Sequence, residues 1–104
     1  MTALEIDVET FAASRDRGVV LDVREPAEYV EAHVPDAVLM PMGQVMSRLA
    51  ELDRNTPVYV ICASGQRSLV IAEVLNRAGY DATSVAGGTI GWMRSGRQVA
   101  TGLE

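Results

Sequence analysis

A chain of 104 residues, 48% apolar and 22% charged, has the make-up of one globular domain, too short for two cores and too apolar for a disordered segment. Its formal charge of −5 argues against work on nucleic-acid phosphates or anionic lipid, and its nine basic residues are all Arg, which removes catalytic lysines, Schiff bases and lysine-dependent phosphate loops. One cysteine and one histidine exclude an internal disulfide or two-thiol redox motif and argue against a zinc site.

No apolar run approaches the roughly 20 residues of a membrane span, and Met1-Thr2-Ala3-Leu4-Glu5 lacks the basic and apolar stretches of a signal peptide. The expectation is a cytoplasmic, single domain over residues 1–104 with no membrane or nucleic-acid partner. In chain order, Ala3 to Ile6 alternates like a strand, and Asp7 is placed to N-cap a helix carrying Val8, Phe11 and Ala12. After Gly18, Val19-Val20-Leu21-Asp22-Val23 reads as a central strand covered on both faces. Pro26 opens a short helix through Glu31, and Ala37 to Leu39 follows as a brief strand after the break His33-Val34-Pro35-Asp36.

Met42, Val45, Met46 and Leu49 fall at i, i+3, i+4 and i+7, which predicts a helix ending near Leu52 with an apolar stripe on the sheet. Pro57 introduces the buried strand Val58-Tyr59-Val60-Ile61, which runs directly into Cys62-Ala63-Ser64-Gly65-Gln66-Arg67-Ser68. Ile71, Val74, Leu75 and Ala78 form a second helical stripe closed by Gly79. A strand over Ala82 to Val85, the pair Gly87-Gly88, a short helix with Ile90, Trp92 and Met93, and a tail after Gly96 complete the chain. Such alternation predicts an α/β fold: about five parallel strands with helices on both faces, binding ligands beyond the strands' carboxyl ends, where Cys62 lies.

The Cys62 loop carries the chemistry. Thiols attack as thiolates, and an ordinary thiol is mostly protonated at neutral pH. Free amides from Ala63 onward and the start of the following helix supply donors and partial positive charge for a sulfur anion. One charge-assisted hydrogen bond is worth about 1.5–3 kcal/mol, so one or two suffice without a histidine base. Gly65 lets the backbone curl, Ser64 and Ser68 add hydroxyl donors, and Arg67 adds a cation. Free cysteines are often buried and inert, but this position, ahead of a Gly, Ser and Arg loop entering a helix, favours catalysis.

Elsewhere the reading is structural. His33 is expected to be a structural hydrogen-bonding group, Arg24 and Glu28 to form a local ion pair, and Met40, Met42 and Met46 to fill the core. Gly87 and Gly88 are expected to meet a backbone need, and Trp92 to anchor the last helix. Asp22 ends a strand near the presumed pocket, and its role stays open.

Four ordered motifs resemble the rhodanese-like domains in their single-domain sulfurtransferase form. Val20 to Tyr29 is similar to the D-V-R-x-x-x-E-[YF] segment, and Ala32-His33-Val34-Pro35-Asp36-Ala37 to G-H-I-P-G-A, with departures at Ala32 and Asp36. Cys62 to Ser68 is similar to the active-site loop C-x-S-G-x-R-S, and Gly87-Gly88-Thr89-Ile90-Gly91-Trp92 to the closing G-G-x-x-x-W. The Cys62-to-Arg67 spacing is shorter than in the cysteine-based phosphatases that share this fold class, which by resemblance favours sulfur over a tetrahedral oxyanion.

The resemblance implies that Cys62 takes sulfane sulfur from thiosulfate or a persulfide donor, holds it as a persulfide, and passes it to cyanide or a thiol acceptor such as thioredoxin, glutathione or a sulfur-carrier protein. Ala63, Ser64, Gly65, Gln66, Arg67 and Ser68 would bind the anion, and no metal or organic cofactor is implied. At Ala63 many relatives carry Arg or Lys, so weak thiosulfate affinity and a preference for persulfide donors are expected. The alternative is a non-catalytic rhodanese-like module that binds partners or uses Cys62 for redox sensing.

Overall fold

The computed structural model describes residues 4–103. Five parallel strands form one sheet: β1 (Glu5–Ile6), β2 (Val19–Asp22), β3 (Val38–Leu39), β4 (Val58–Ile61) and β5 (Ala82–Val85), in the order β1-β5-β4-β2-β3. The middle strand is β4, with β2 beside it as an interior strand rather than at the centre. Leu21 pairs with Val60, Asp22 with Ile61, and Val60 with Ser84, so the carboxyl ends of β2, β4 and β5 reach the same edge. Ala3, expected to open β1, lies outside the described residues.

The helices α1 (Val8–Ser14), α2 (Pro26–Glu31), α3 (Gln66–Arg77) and α4 (Gly88–Arg94) cover the sheet. Side chains alternate across a strand, and the two faces accordingly bury different sets. Leu21, Val23, Val58, Val60, Cys62 and Ala82 face α3 and pack on Ile71, Ala72 and Leu75. Val20, Tyr59, Ile61 and Val85 face the other way, onto Phe11, Tyr29, Val34 and Trp92. Phe11 meets Tyr59 and Trp92 edge-on, with ring centroids 5.7 and 5.5 Å apart.

Several sequence expectations hold at the atomic level. The Asp7 carboxylate accepts the Thr10 amide at 2.8 Å and caps α1, and Gly79 takes φ +94° just past α3. His33 is buried, with Nδ1 2.7 Å from the Tyr29 carbonyl and its ring stacked 3.6 Å from the Tyr29 ring. Asp36 takes φ +70°, a left-handed conformation at the place where the family pattern has Gly.

Other expectations are overturned. In place of one helix from Met42 to Leu52 the chain makes short 3-10 segments, Met42–Gln44 and Met46–Glu51, the second broken by a kink at Arg48. The expected stripe splits: Val45 is buried, Met42 and Leu49 are partly buried, and Met46 is 60% exposed and so is no core residue. With 3.0 residues per turn instead of 3.6, Met46 rotates out of the face that Val45 occupies. Residues 97–102 are no free tail. Ala100 and His33 exchange backbone hydrogen bonds at 2.8 and 2.9 Å, the Gly102 amide reaches the Val30 carbonyl at 2.9 Å, and the Gln98 carbonyl accepts from Trp92 Nε1 at 2.8 Å. Among the described residues no helix is long and apolar enough to cross a membrane.

Candidate active site

Cys62 follows the last residue of β4 and lies on the α3 face, in phase with Val58 and Val60. The loop then turns into α3 through Gly65, whose φ of +111° few side-chain-bearing residues adopt. This curl folds the amides back onto the sulfur. Cys62 Sγ accepts from the Gly65 amide at 3.1 Å and the Ser68 amide at 3.3 Å, and lies 3.3 Å from the Ser68 hydroxyl. The residue is 1% exposed, so the sulfur forms the floor of a cradle rather than a surface group.

Burial is the largest influence on this thiol and pushes its pKa up. The Ser68 hydroxyl, the Ser68 and Gly65 amides and the Ser64 amide together outweigh burial and hold the thiol below its ordinary range. These donors accordingly favour the charged form of the sulfur. Its members are unequal. Ser64 and Gln66 are exposed, Ala63 and Arg67 partly buried, and Gly65 and Ser68 buried. Among the described residues no hydrogen bond joins Ala63, Gln66 or Arg67 to the sulfur.

Arg67 is committed elsewhere. Its Nη1 and Nη2 donate to Glu28 Oε1 and Oε2, both at 2.9 Å, in a two-pronged ion pair across from α2. Arg24, expected to pair with Glu28, instead grips the buried Asp22 carboxylate through Nε and Nη2 at 2.9 and 2.8 Å and the Ala32 carbonyl at 2.8 Å. Arg24 precedes α2, which begins at Pro26, so the helical i, i+4 geometry does not apply. On extended chain, Arg24 shares a side with Asp22, two residues back. Asp22 thus serves the scaffold beside the loop and does not touch the sulfur.

Two contributors escaped the sequence reading. Ser84 on β5 is fully buried, and its hydroxyl lies 2.7 Å from the Ser68 hydroxyl, extending the chain Cys62 Sγ, Ser68 Oγ, Ser84 Oγ. A small hydroxyl on the buried face of an interior strand was the available signal. Thr89 is the second: its amide and hydroxyl both donate to the Cys62 carbonyl, at 2.9 and 3.1 Å, while the Ile90 amide donates to the Ala63 carbonyl at 3.0 Å. A trans peptide points C=O and N–H in opposite directions, so tying these carbonyls to α4 turns the following amides the other way.

Gly88, where a backbone need was expected, makes that tie possible. A Cβ there would lie 2.5 Å from the Cys62 carbonyl oxygen and 2.6 Å from that of Ala63, and its φ is +58°. The backbone necessity expected of the glycine pair is thus the close approach of α4 to the cysteine loop.

A family model described as "Rhodanese-like domain" matches residues 7–95. Among curated proteins, a sulfurtransferase of Allochromatium vinosum is 33% identical over 96 residues, covering 88% of this chain and 90% of that protein. The thiosulfate sulfurtransferase PspE of Escherichia coli is 35% identical over 88 residues, covering 83% of this chain and 81% of its own. YrkF of Bacillus subtilis is 40% identical over 79 residues, 73% of this chain, but the chain spans only 43% of that protein's length. Among solved structures, a rhodanese-related protein from Thermoplasma volcanium superposes with a TM-score of 0.89 at 30% identity, over 96% of this chain and 98% of that one.

Proposed function

The chain belongs to the rhodanese-like domain family, and from that membership we propose that it is a sulfurtransferase carrying sulfane sulfur on Cys62. The observation that carries the reading is the buried sulfur held by two amides and a hydroxyl at the start of α3. The Cys62 thiolate attacks the donor's sulfane sulfur, and the donor's S–S bond breaks with its electron pair leaving on sulfite, from thiosulfate, or on a thiolate, from a persulfide. Cys62 then carries the persulfide, whose outer sulfur holds the negative charge.

An acceptor thiolate or cyanide attacks that outer sulfur, and Cys62 departs as the thiolate that began the cycle. No net oxidation of the protein occurs, and no metal or organic cofactor takes part in either step. The same donors that hold the thiolate are placed to stabilise it as leaving group. Acceptors in this reading are thiols such as those of glutathione, thioredoxin or a sulfur-carrier protein. With Ala63 in place of a cation, persulfides are the better donors.

Intact mass spectrometry of the reduced protein, after brief exposure to thiosulfate or to glutathione persulfide, tests the reading. The expected result is gain of one sulfur by the wild type and none by Cys62→Ala, with cyanide removing it as thiocyanate. Failure with both donors on folded, reduced protein, together with rapid formation of a stable sulfenic acid, would replace the transferase by a redox-sensing module.

A further inference from the structure

We propose that Glu28 sets donor specificity: by holding Arg67 in a two-pronged ion pair, it keeps the loop's one cation from a dianionic donor and tunes the site to donors with a single charge at the reacting sulfur. The inference rests on the sulfurtransferase reading and concerns which donor that site accepts. Its ground is the charge arrangement around the cradle. Arg67 stands next to Ser68, whose amide and hydroxyl hold the sulfur, and it is the one basic residue between Cys62 and Ser68. Both of its terminal nitrogens are used by Glu28, each at 2.9 Å.

Glu28 is anchored as well as charged. Its Oε1 also accepts the Glu25 amide at 3.0 Å in the capping box of α2, while the next residue, Tyr29, is buried with its hydroxyl on the Ala37 carbonyl at 2.6 Å. The carboxylate therefore sits on a fixed helix start, and the flexible guanidinium comes to it. Arg24, the other cation whose charge acts on Glu28, is likewise held, by Asp22.

What remains for an anion is the set of amides and the hydroxyl. Those donors match one negative charge on sulfur. Thiosulfate brings a second, spread over its sulfonate oxygens, while Arg67 and Arg24 are both held by carboxylates. A persulfide donor presents a single charge at the reacting pair. The latch is also accessible: the Arg67 and Glu28 side chains are 35% and 36% exposed, so the pair is weak enough for substitution or salt to release the guanidinium.

Glu28→Gln is the informative variant, since its amide oxygen can still accept the Glu25 amide and preserve the start of α2. The ratio of kcat/KM for thiosulfate to that for glutathione persulfide is expected to rise roughly fivefold, mostly through a lower thiosulfate KM. In a background of Arg67→Gln the gain should vanish, because the released cation is what binds. The same latch is read without turnover by thiosulfate binding to Cys62→Ala protein in a calorimeter, where adding Glu28→Gln should tighten binding roughly fivefold. An unchanged donor ratio, equal calorimetric affinities, or a gain undiminished by Arg67→Gln would overturn the proposal. Wild-type protein that turns over neither donor would instead count against the sulfurtransferase reading, and the calorimetric result would still decide the latch.

Discussion

Replacing Ser68 by Ala removes one hydroxyl from a buried line of three polar atoms, Cys62 Sγ, Ser68 Oγ and Ser84 Oγ, spaced 3.3 and 2.7 Å apart. With a thiol, Sγ–H donates to Ser68 Oγ and the Ser68 proton goes to Ser84. With a thiolate, the Ser68 hydroxyl turns to donate to the sulfur, and Ser84 donates to Ser68 in its place. The hydroxyl thus serves both forms, but only the thiolate gains a charge-assisted bond. Such a bond is worth about 1.5–3 kcal/mol against about 0.5–1.5 for a neutral one, so the differential loss is about 1–1.5 kcal/mol. At 1.36 kcal/mol per tenfold, the thiolate-to-thiol ratio at fixed pH falls roughly five- to thirteenfold.

The sign follows from the thiol's depressed pKa: loss of a donor moves its titration to higher pH, while the Gly65 and Ser68 amides keep part of the depression. The assay is the pH dependence of Cys62 alkylation, read by intact mass, with circular dichroism to show that the variant is folded. Ser84→Ala should have a smaller effect in the same direction, and the double variant should titrate like Ser68→Ala alone, because Ser84 acts through Ser68. A folded Ser68→Ala protein whose thiol titrates like the wild type would refute this account and assign the thiolate to the amides.

Three further outcomes test the scaffold around the loop. The Glu28 carboxyl is held at about 2, below its ordinary 4.5, chiefly by hydrogen bonds from Arg67, so the pair's stabilisation is present above pH 4.5 and lost as pH falls through about 2. Because both side chains are about a third exposed, Glu28→Gln should cost only about 1 kcal/mol or less in urea unfolding at neutral pH, and the difference should close on acidification. Gly88→Ala, which forces a Cβ to within 2.5 Å of the Cys62 carbonyl oxygen, should lower unfolding free energy by at least about 2 kcal/mol and impair loading of Cys62, whereas Gly43→Ala, in open space, should stay within about 0.5 kcal/mol. Arg24→Ala strands the buried Asp22 carboxylate and should cost about 3–5 kcal/mol in the same measurement, while a cost under about 1 kcal/mol would show that the pair is not the buried strut described above.

The buried run Val58 to Ile61 and the helical stripe of α3 are legible in the sequence because each repeats with the period of its own element. Their junction at Cys62 is legible for the same reason, since Gly65 and the serines are demanded by local backbone geometry and local donors. The stretch from Met42 to Leu52 misleads because apolar spacing near 3.6 and near 3.0 residues per turn cannot be told apart over three turns. Val45 packs deep while Met46 is left outside, a choice made by the neighbouring core and not by the spacing.

What the sequence determined by itself is therefore the alternation of strand and helix on either side of the stretch from Met42 to Leu52, the placing of Cys62 at a strand end, and the nearby donors of Ser64, Gly65 and Ser68. These depend on interactions close along the chain. The tertiary structure alone decided that Glu28, 39 residues before Arg67, occupies that cation, and that Ser84, 16 residues after Ser68, anchors its hydroxyl. It also decided that Thr89 and Gly88 clamp the loop, and that the chain end pairs with His33. Charges and hydroxyls can bond many partners with similar energy, so sequence leaves their pairing undetermined until the packed sheet brings one partner within reach and removes the water that would have served instead.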